Sequence, residues 1–240
     1  MDAVTLAVAY FLLGAGRRHA QVRVTAATVE GACMNRLSRW LLAAFALFTL
    51  ASTSALAQTV DVKALPELLK QGGYVIVFRH GATNRDQADT DPLNYDNISK
   101  QRLLSEGGRD VARQVGEALK ALRIPIGKTY TSRFNRAVET GSLIGGGVVI
   151  ATLDLTEGGL VVTPIENDRR AEALRRLIAT APESGTNTLL VTHKPNILDA
   201  FGKDWFEVKE GEASVFRPSA DGKAVLVARL QAGDWIKAAK

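Results

Sequence analysis

The sequence of 240 residues has one cysteine, three histidines and two methionines. A single cysteine excludes an intramolecular disulfide framework and any cysteine-rich zinc site. So few histidines leave little room for a histidine-rich metal centre. Aromatic residues make up 6% of the chain, and no Lys/Arg stripe is interleaved with them, so nucleic-acid recognition has little to stand on. The longest apolar run, Trp40 to Leu50, is far shorter than the roughly 20 residues that a membrane-spanning helix needs. Against these absences stand 46% apolar and 23% charged residues, the balance of a globular protein with a genuine core.

The net charge of +5 points at first to an anionic partner, but it is unevenly spread. Met34 opens a short basic stretch with Arg36 and Arg39. The apolar run Trp40–Leu50 follows, and then Ala55-Leu56-Ala57. Basic start, short apolar centre and A-x-A site are the order of a secretory signal peptide, so residues 34–57 are expected to be one, with the mature chain starting at Gln58. Residues 1–33 are then expected to be an upstream extension, with translation starting at Met34 rather than Met1. No cysteine follows Ala57, which argues against a lipid anchor, and no stable membrane attachment is expected. Residues 1–57 carry five of the 30 basic and two of the 25 acidic side chains, so residues 58–240 hold 25 against 23, a net +2. Cys33, His19 and both methionines go with the leader. A thiol mechanism is impossible for what remains, nucleic acid is no longer indicated, and the only histidines left are His80 and His193. The expected location is periplasmic or secreted.

Within residues 58–240, short apolar runs alternate with amphipathic segments. Tyr74–Phe78 and Thr188–Thr192 read as buried strands, and Lys128–Thr131 and Val148–Thr152 as further strands. Ser105–Leu122 reads as a helix with Val111, Val115, Ala118, Leu119 and Leu122 on its apolar face and Ser105 as its cap. Arg133–Leu143, Asp168–Thr180 and a segment from Asn196 to Phe201 read as further helices. Ala213–Phe216 and Ala224–Leu230 form a closing hairpin around Asp221-Gly222. The pattern predicts an α/β fold with a mixed, mostly parallel central sheet and helices on both faces.

Both remaining histidines sit at the ends of predicted strands, His80 separated from the first by one arginine and His193 directly after the fourth. In open α/β sheets ligands bind at the carboxyl ends of strands, so the two can face one pocket. Arg79 adjoins His80, and Arg133 and Arg136 follow another strand. Arginine's planar fork suits a phosphoryl group, and neighbouring cations keep an imidazole neutral and nucleophilic. Arg133 is expected on a solvated helix face. The acidic loop from Asp86 to Asp96 lacks the glycine and terminal glutamate of an EF-hand and is read as an exposed loop at the site entrance.

Arg79-His80-Gly81-Ala82-Thr83, the S-x-x-x-R-A-x-x-T pattern from Ser132 to Thr140, and Thr192-His193 together resemble the histidine phosphatase superfamily, in its phosphoglycerate-mutase-like branch. The resemblance implies that His80 becomes a phosphohistidine, that Arg79 and Arg136 clamp the phosphoryl oxygens, and that His193 donates to the same group. Thr83 and Asn84 would line the entrance. No metal or other cofactor is implied. A carboxylate after the third core strand would protonate the leaving group. Glu157 is the choice, with Asp154, Glu139 and Glu166 as competitors, and Gly158-Gly159 would let its backbone approach the site. The sequence departs from the family pattern at Lys194-Pro195, where glycine is usual after the histidine, and at Ala82, which leaves the substrate open.

The expected activity is an exported phosphomonoesterase acting on a small phosphate ester or a phosphorylated envelope glycan. One alternative is a non-catalytic phosphate- or phosphosugar-binding module, which would need no nucleophile. Another is a mutase-type phosphotransferase, whose substrate pool would be cytosolic.

Overall fold

The computed structural model describes residues 64–240. The expected upstream extension and signal peptide lie outside the described residues. A sheet of six strands runs in the order β3-β2-β4-β1-β5-β6. Its strands are β1 (Val75–Arg79), β2 (Ile126–Ser132), β3 (Val149–Thr152), β4 (Asn187–Thr192), β5 (Ala213–Pro218) and β6 (Ala224–Leu230). β1, β2, β3 and β4 are mutually parallel, while β5 runs antiparallel to β1 and β6 antiparallel to β5. The mixed, mostly parallel sheet predicted from sequence is therefore present.

The continuous apolar runs of β1 and β4 reflect burial on both faces. Ile76, Phe78, Leu189 and Val191 face one core. That core also takes side chains from α1 (Leu65–Lys70), α2 (Glu106–Ala121), α3 (Asn135–Gly145) and α6 (Ala232–Ala238). Val75, Val77 and Leu190 face the other, against α4 (Pro164–Ala179) and α5 (Lys194–Phe201).

Three local expectations need correction. Val111 is 38% exposed, and α2 instead buries Gly108, Ala112, Val115, Gly116, Ala118 and Leu119. Contact distance chooses this face: a Cβ on Gly108 would lie 2.1 Å from the Ala82 carbonyl oxygen. A hydropathy pattern credits Val111 and gives glycine no weight, yet glycine is what lets α2 rest on the loop after β1. Second, α4 begins at Pro164 rather than Asp168. Thr163 caps it by accepting from the Glu166 N–H at 3.2 Å, and Pro164 fits the first turn. The added turn is hard to see because its apolar residue, Ile165, is 81% exposed. Third, the chain does not finish on the hairpin. α6 follows, held by a capping box of Gln231 and Asp234, and it inserts Trp235 against Phe78 with ring centroids 6.3 Å apart.

Strand order is what assembles the site. β1 and β4 are neighbours with Arg79 opposite Thr192, so the residues that follow, His80 and His193, emerge side by side. β2 flanks β4 on its other side and delivers Ser132 and the start of α3.

Candidate active site

The His80 and His193 rings lie 5.1 Å apart, and both are buried. His80 Nδ1 is 2.8 Å from the Gly81 carbonyl oxygen. A carbonyl only accepts, so Nδ1 carries the proton and Nε2 keeps its lone pair. The loop is held from both sides. The Gly81 N–H donates to Thr140 Oγ1 at 3.1 Å, and that hydroxyl donates to the Arg136 carbonyl at 2.7 Å. The His80 N–H donates to the Thr192 carbonyl, and Gly211 N–H to the Arg79 and His80 carbonyls. His193 Nε2 lies 2.7 Å from Ser132 Oγ, and the Phe134 ring packs edge-on against the imidazole.

Arg136 is fully buried on the first turn of α3, its guanidinium 4.2 Å from the centroid of the Phe134 ring. One Nη donates to Asp89 Oδ1 at 3.0 Å and to the Arg102 carbonyl at 3.3 Å, and the other pairs with Glu157. Arg79 donates to the Val208 carbonyl at 2.8 Å and lies 3.6 Å from Glu210. Thr83 also donates to Glu210, at 3.1 Å, while Asn84 bonds the backbone of Leu103 and Leu104. Arg79 Nε, Arg136 Nε and His193 Nδ1 are buried and have no hydrogen-bond partner among the described residues.

Glu157 lies beside this cluster. Its Oε1 is 3.3 Å from His193 Nδ1, without hydrogen-bond alignment, besides pairing with Arg136. The neighbouring Thr156 carbonyl anchors its loop by accepting from Arg170 and Asn196. The competing carboxylates are committed to other arginines: Asp154 to Arg169, Glu139 to Arg109, and Glu166 to Arg169 and Arg170, which hold it at about 2. Gly158 does not serve a backbone approach to the site, because its close neighbours are Val162 and Asn167. Arg133 precedes α3 rather than lying on it, pairs with Asp96 at 3.3 Å and stacks on Tyr95. Lys194 lies over the Phe206 ring at 4.6 Å.

Sequence reasoning missed Asp89, Arg102 and Glu210, which reach the site from loops with no hydrophobic period. Asp89 belongs to a loop read as exposed. Most of that loop is, but this one side chain turns in to Arg136. No group of three or more His, Cys, Asp and Glu side chains is gathered for a metal ion among the described residues.

Burial lowers the pKa of both histidines well below the ordinary range; the neighbouring His193 ring, Arg136 and Arg79 lower that of His80 further, and Arg136, Arg102 and Arg79 that of His193. Both rings are neutral near pH 7. The unfolded chain then binds more protons than the folded one below pH 6.5, the ordinary imidazole value. The stability contributed by the neutral rings is complete above that pH and falls as the pH drops, by up to about 1.4 kcal/mol per pH unit for each histidine. Urea unfolding between about pH 7.5 and 5.5 should show this slope, above the range where carboxylates titrate. A His193→Gln variant should lose about half of it. An unchanged slope in that variant would mean that His193 is not held neutral.

Residues 75–161 match the sequence profile of the family described as Histidine phosphatase superfamily (branch 1). No curated protein sequence matches the chain. Among solved structures, the chain is similar to the protein histidine phosphatase SixA complexed with tungstate, at 19% identity and a TM-score of 0.47, covering 67% of this chain and 98% of that one. It is likewise similar to mycobacterial glucosyl-3-phosphoglycerate phosphatase with inorganic phosphate, at 19% identity and a TM-score of 0.47, covering 67% and 99%. A third is phosphoserine phosphatase from Entamoeba histolytica in complex with 3-phosphoglyceric acid, at 16% identity and a TM-score of 0.47, covering 68% and 98%.

Proposed function

We propose that this chain is a member of the histidine phosphatase superfamily, whose branch 1 profile matches residues 75–161, and that it hydrolyses phosphate monoesters through a covalent phosphohistidine on His80. The observation that carries the reading is the set of buried nitrogens on Arg79, Arg136 and His193 that find no partner among the described residues. Buried polar atoms left unpaired are expensive, and their convergence beside a neutral imidazole fits a pocket completed by an oxyanion.

The chemistry follows from the proton positions. His80 Nε2 attacks phosphorus, forming the N–P bond as the ester P–O bond breaks. Arg79, Arg136 and His193 hold the equatorial oxygens, whose charge spreads in the transition state. As the phosphoryl group takes over Arg136, Glu157 loses its counter-ion, takes up a proton from solvent and delivers it to the leaving oxygen, returning to the carboxylate. In the second step Glu157 takes a proton from water, whose oxygen displaces His80 and releases inorganic phosphate. A merely phosphate-binding module would have no use for the free lone pair that the Gly81 bond preserves on His80.

Glu157→Gln tests the acid. An alcohol leaving as an alkoxide needs the proton, and a nitrophenolate does not. The variant should lose on the order of 100-fold in kcat on an alkyl phosphate and only a few-fold on a nitrophenyl ester. Equal losses on both would remove Glu157 from this role.

We further propose that the enzyme is exported and acts on a small phosphate ester or a phosphorylated envelope glycan. The sequence from Met34 to Ala57 supports export, and the substrate follows from where export would take the chain. N-terminal sequencing of the protein recovered from its host should begin at Gln58; a start inside residues 1–33 would rule out the signal-peptide reading.

A further inference from the structure

Ser132 takes no part in the mechanism above, yet its hydroxyl decides what His193 can do there. It is the last residue of β2, and the pairing of Thr131 with Val191 sets it beside the end of β4. Its side chain is fully buried. Among the described residues two groups meet its Oγ: the Phe134 N–H, which donates to it at 3.1 Å, and His193 Nε2, at 2.7 Å. A backbone N–H can only donate. The hydroxyl's own proton therefore has one acceptor, the lone pair of Nε2. The His193 ring is neutral, so its single ring proton is then on Nδ1. The opposite assignment would aim two N–H groups at one oxygen and strand the hydroxyl proton in the interior. It would also turn the Nδ1 lone pair toward Glu157 Oε1, 3.3 Å away. Buried polar groups left in that way are costly.

The two imidazoles thus carry their protons on the same nitrogen to opposite ends. The Gly81 carbonyl takes the His80 Nδ1 proton and leaves Nε2 as a lone pair. Ser132 takes the His193 Nε2 lone pair and leaves Nδ1–H, a buried nitrogen with no hydrogen-bond partner among the described residues, as a donor. A phosphoryl oxygen offers only lone pairs, so it accepts from this tautomer and is repelled by the other. Glu157 does not fix the proton in place of Ser132, because its Oε1 pairs with Arg136 and lacks hydrogen-bond alignment with Nδ1.

We propose that Ser132 is a positioning residue: by donating to Nε2, its hydroxyl holds His193 in the tautomer whose Nδ1–H binds the transferred phosphoryl group. This rests on the phosphatase reading above, but the place of the proton is read in the ligand-free protein, without turnover.

Nitrogen NMR of the full chain with isotope-labelled histidine, above pH 7, reads it directly; the His193 signals are those lost in His193→Ala. In the wild-type protein Nδ1 should show a protonated, pyrrole-like shift and Nε2 an unprotonated, pyridine-like one. A proton on Nε2 would overturn the proposal. Ser132→Ala should move both nitrogens toward averaged values, as the ring loses the donor that fixes it. An unchanged pattern in that variant would also overturn the proposal, since the tautomer would then be set without Ser132. Turnover of a nitrophenyl phosphate supplies the second readout. Ser132→Ala should lower kcat/KM by about tenfold in otherwise wild-type protein, the scale of one hydrogen bond to a charged group. In the His193→Ala background the same change should cost less than about twofold. An equal loss in both backgrounds would mean that the hydroxyl serves only the Phe134 N–H ahead of α3. Absence of turnover on any phosphate ester would count instead against the phosphatase reading, with the spectrum still deciding the tautomer.

Discussion

His80→Ala should reduce kcat on a nitrophenyl phosphate by on the order of 10,000-fold or more, the scale of loss when a covalent nucleophile is removed. The wild-type protein quenched during turnover should carry an acid-labile, base-stable phosphoryl group, and the variant should carry none. Two features make the expected loss this large. The Gly81 carbonyl fixes the proton on Nδ1, so Nε2 is the nucleophile without any prior proton transfer. Burial and neighbouring charges lower the His80 pKa, so the ring is already neutral at working pH. His193 cannot substitute, because its Nε2 is bonded to Ser132 Oγ. Full turnover by His80→Ala would remove the phosphohistidine. The variant must be shown to fold, and thermal unfolding above pH 7 serves for this, where the change costs packing and the bond to the Gly81 carbonyl.

The histidines were legible in the sequence because each follows an apolar run, and apolar runs of that length are strands. Their adjacency was not, since it depends on β4 inserting between β1 and β2. Glu157 could be chosen from sequence but not separated from Asp154, Glu139 and Glu166. What separates them is which arginine each one meets, and Arg169, Arg170 and Arg109 meet the rest through folded contacts. Asp89, Arg102 and Glu210 left no signal at all. They sit on loops where no periodicity marks an inward-facing position; Asp89 is held there by the Arg102 N–H and Arg136, and Glu210 by the Thr83 hydroxyl and Arg79. The same reason hid the role of Gly108. A residue chosen for lacking a side chain is invisible to any reading that scores side chains.

Arg136→Met carries the second large expectation, because one change acts on fold and chemistry together. The guanidinium is fully buried and holds two carboxylates, Asp89 and Glu157, whose side chains are 20% and 21% exposed. Methionine fills much of the volume but leaves both acids without a cation. A fully buried pair broken in this way costs about 3–5 kcal/mol. Here both acids reach water, and screening reduces the expected loss to about 1–3 kcal/mol. Activity should fall by about 1,000-fold in kcat/KM, since the phosphoryl oxygens lose a charged fork whose effect is largest in the transition state. Arg136→Lys separates the two roles. It restores a cation for the acids, so the urea midpoint should recover most of the loss. It does not restore the planar two-nitrogen geometry, so kcat/KM should stay at least about tenfold down. Wild-type activity in Arg136→Lys would mean that the site needs only the charge. An unchanged midpoint in Arg136→Met would mean that Asp89 and Glu157 take up water as readily as they take up arginine.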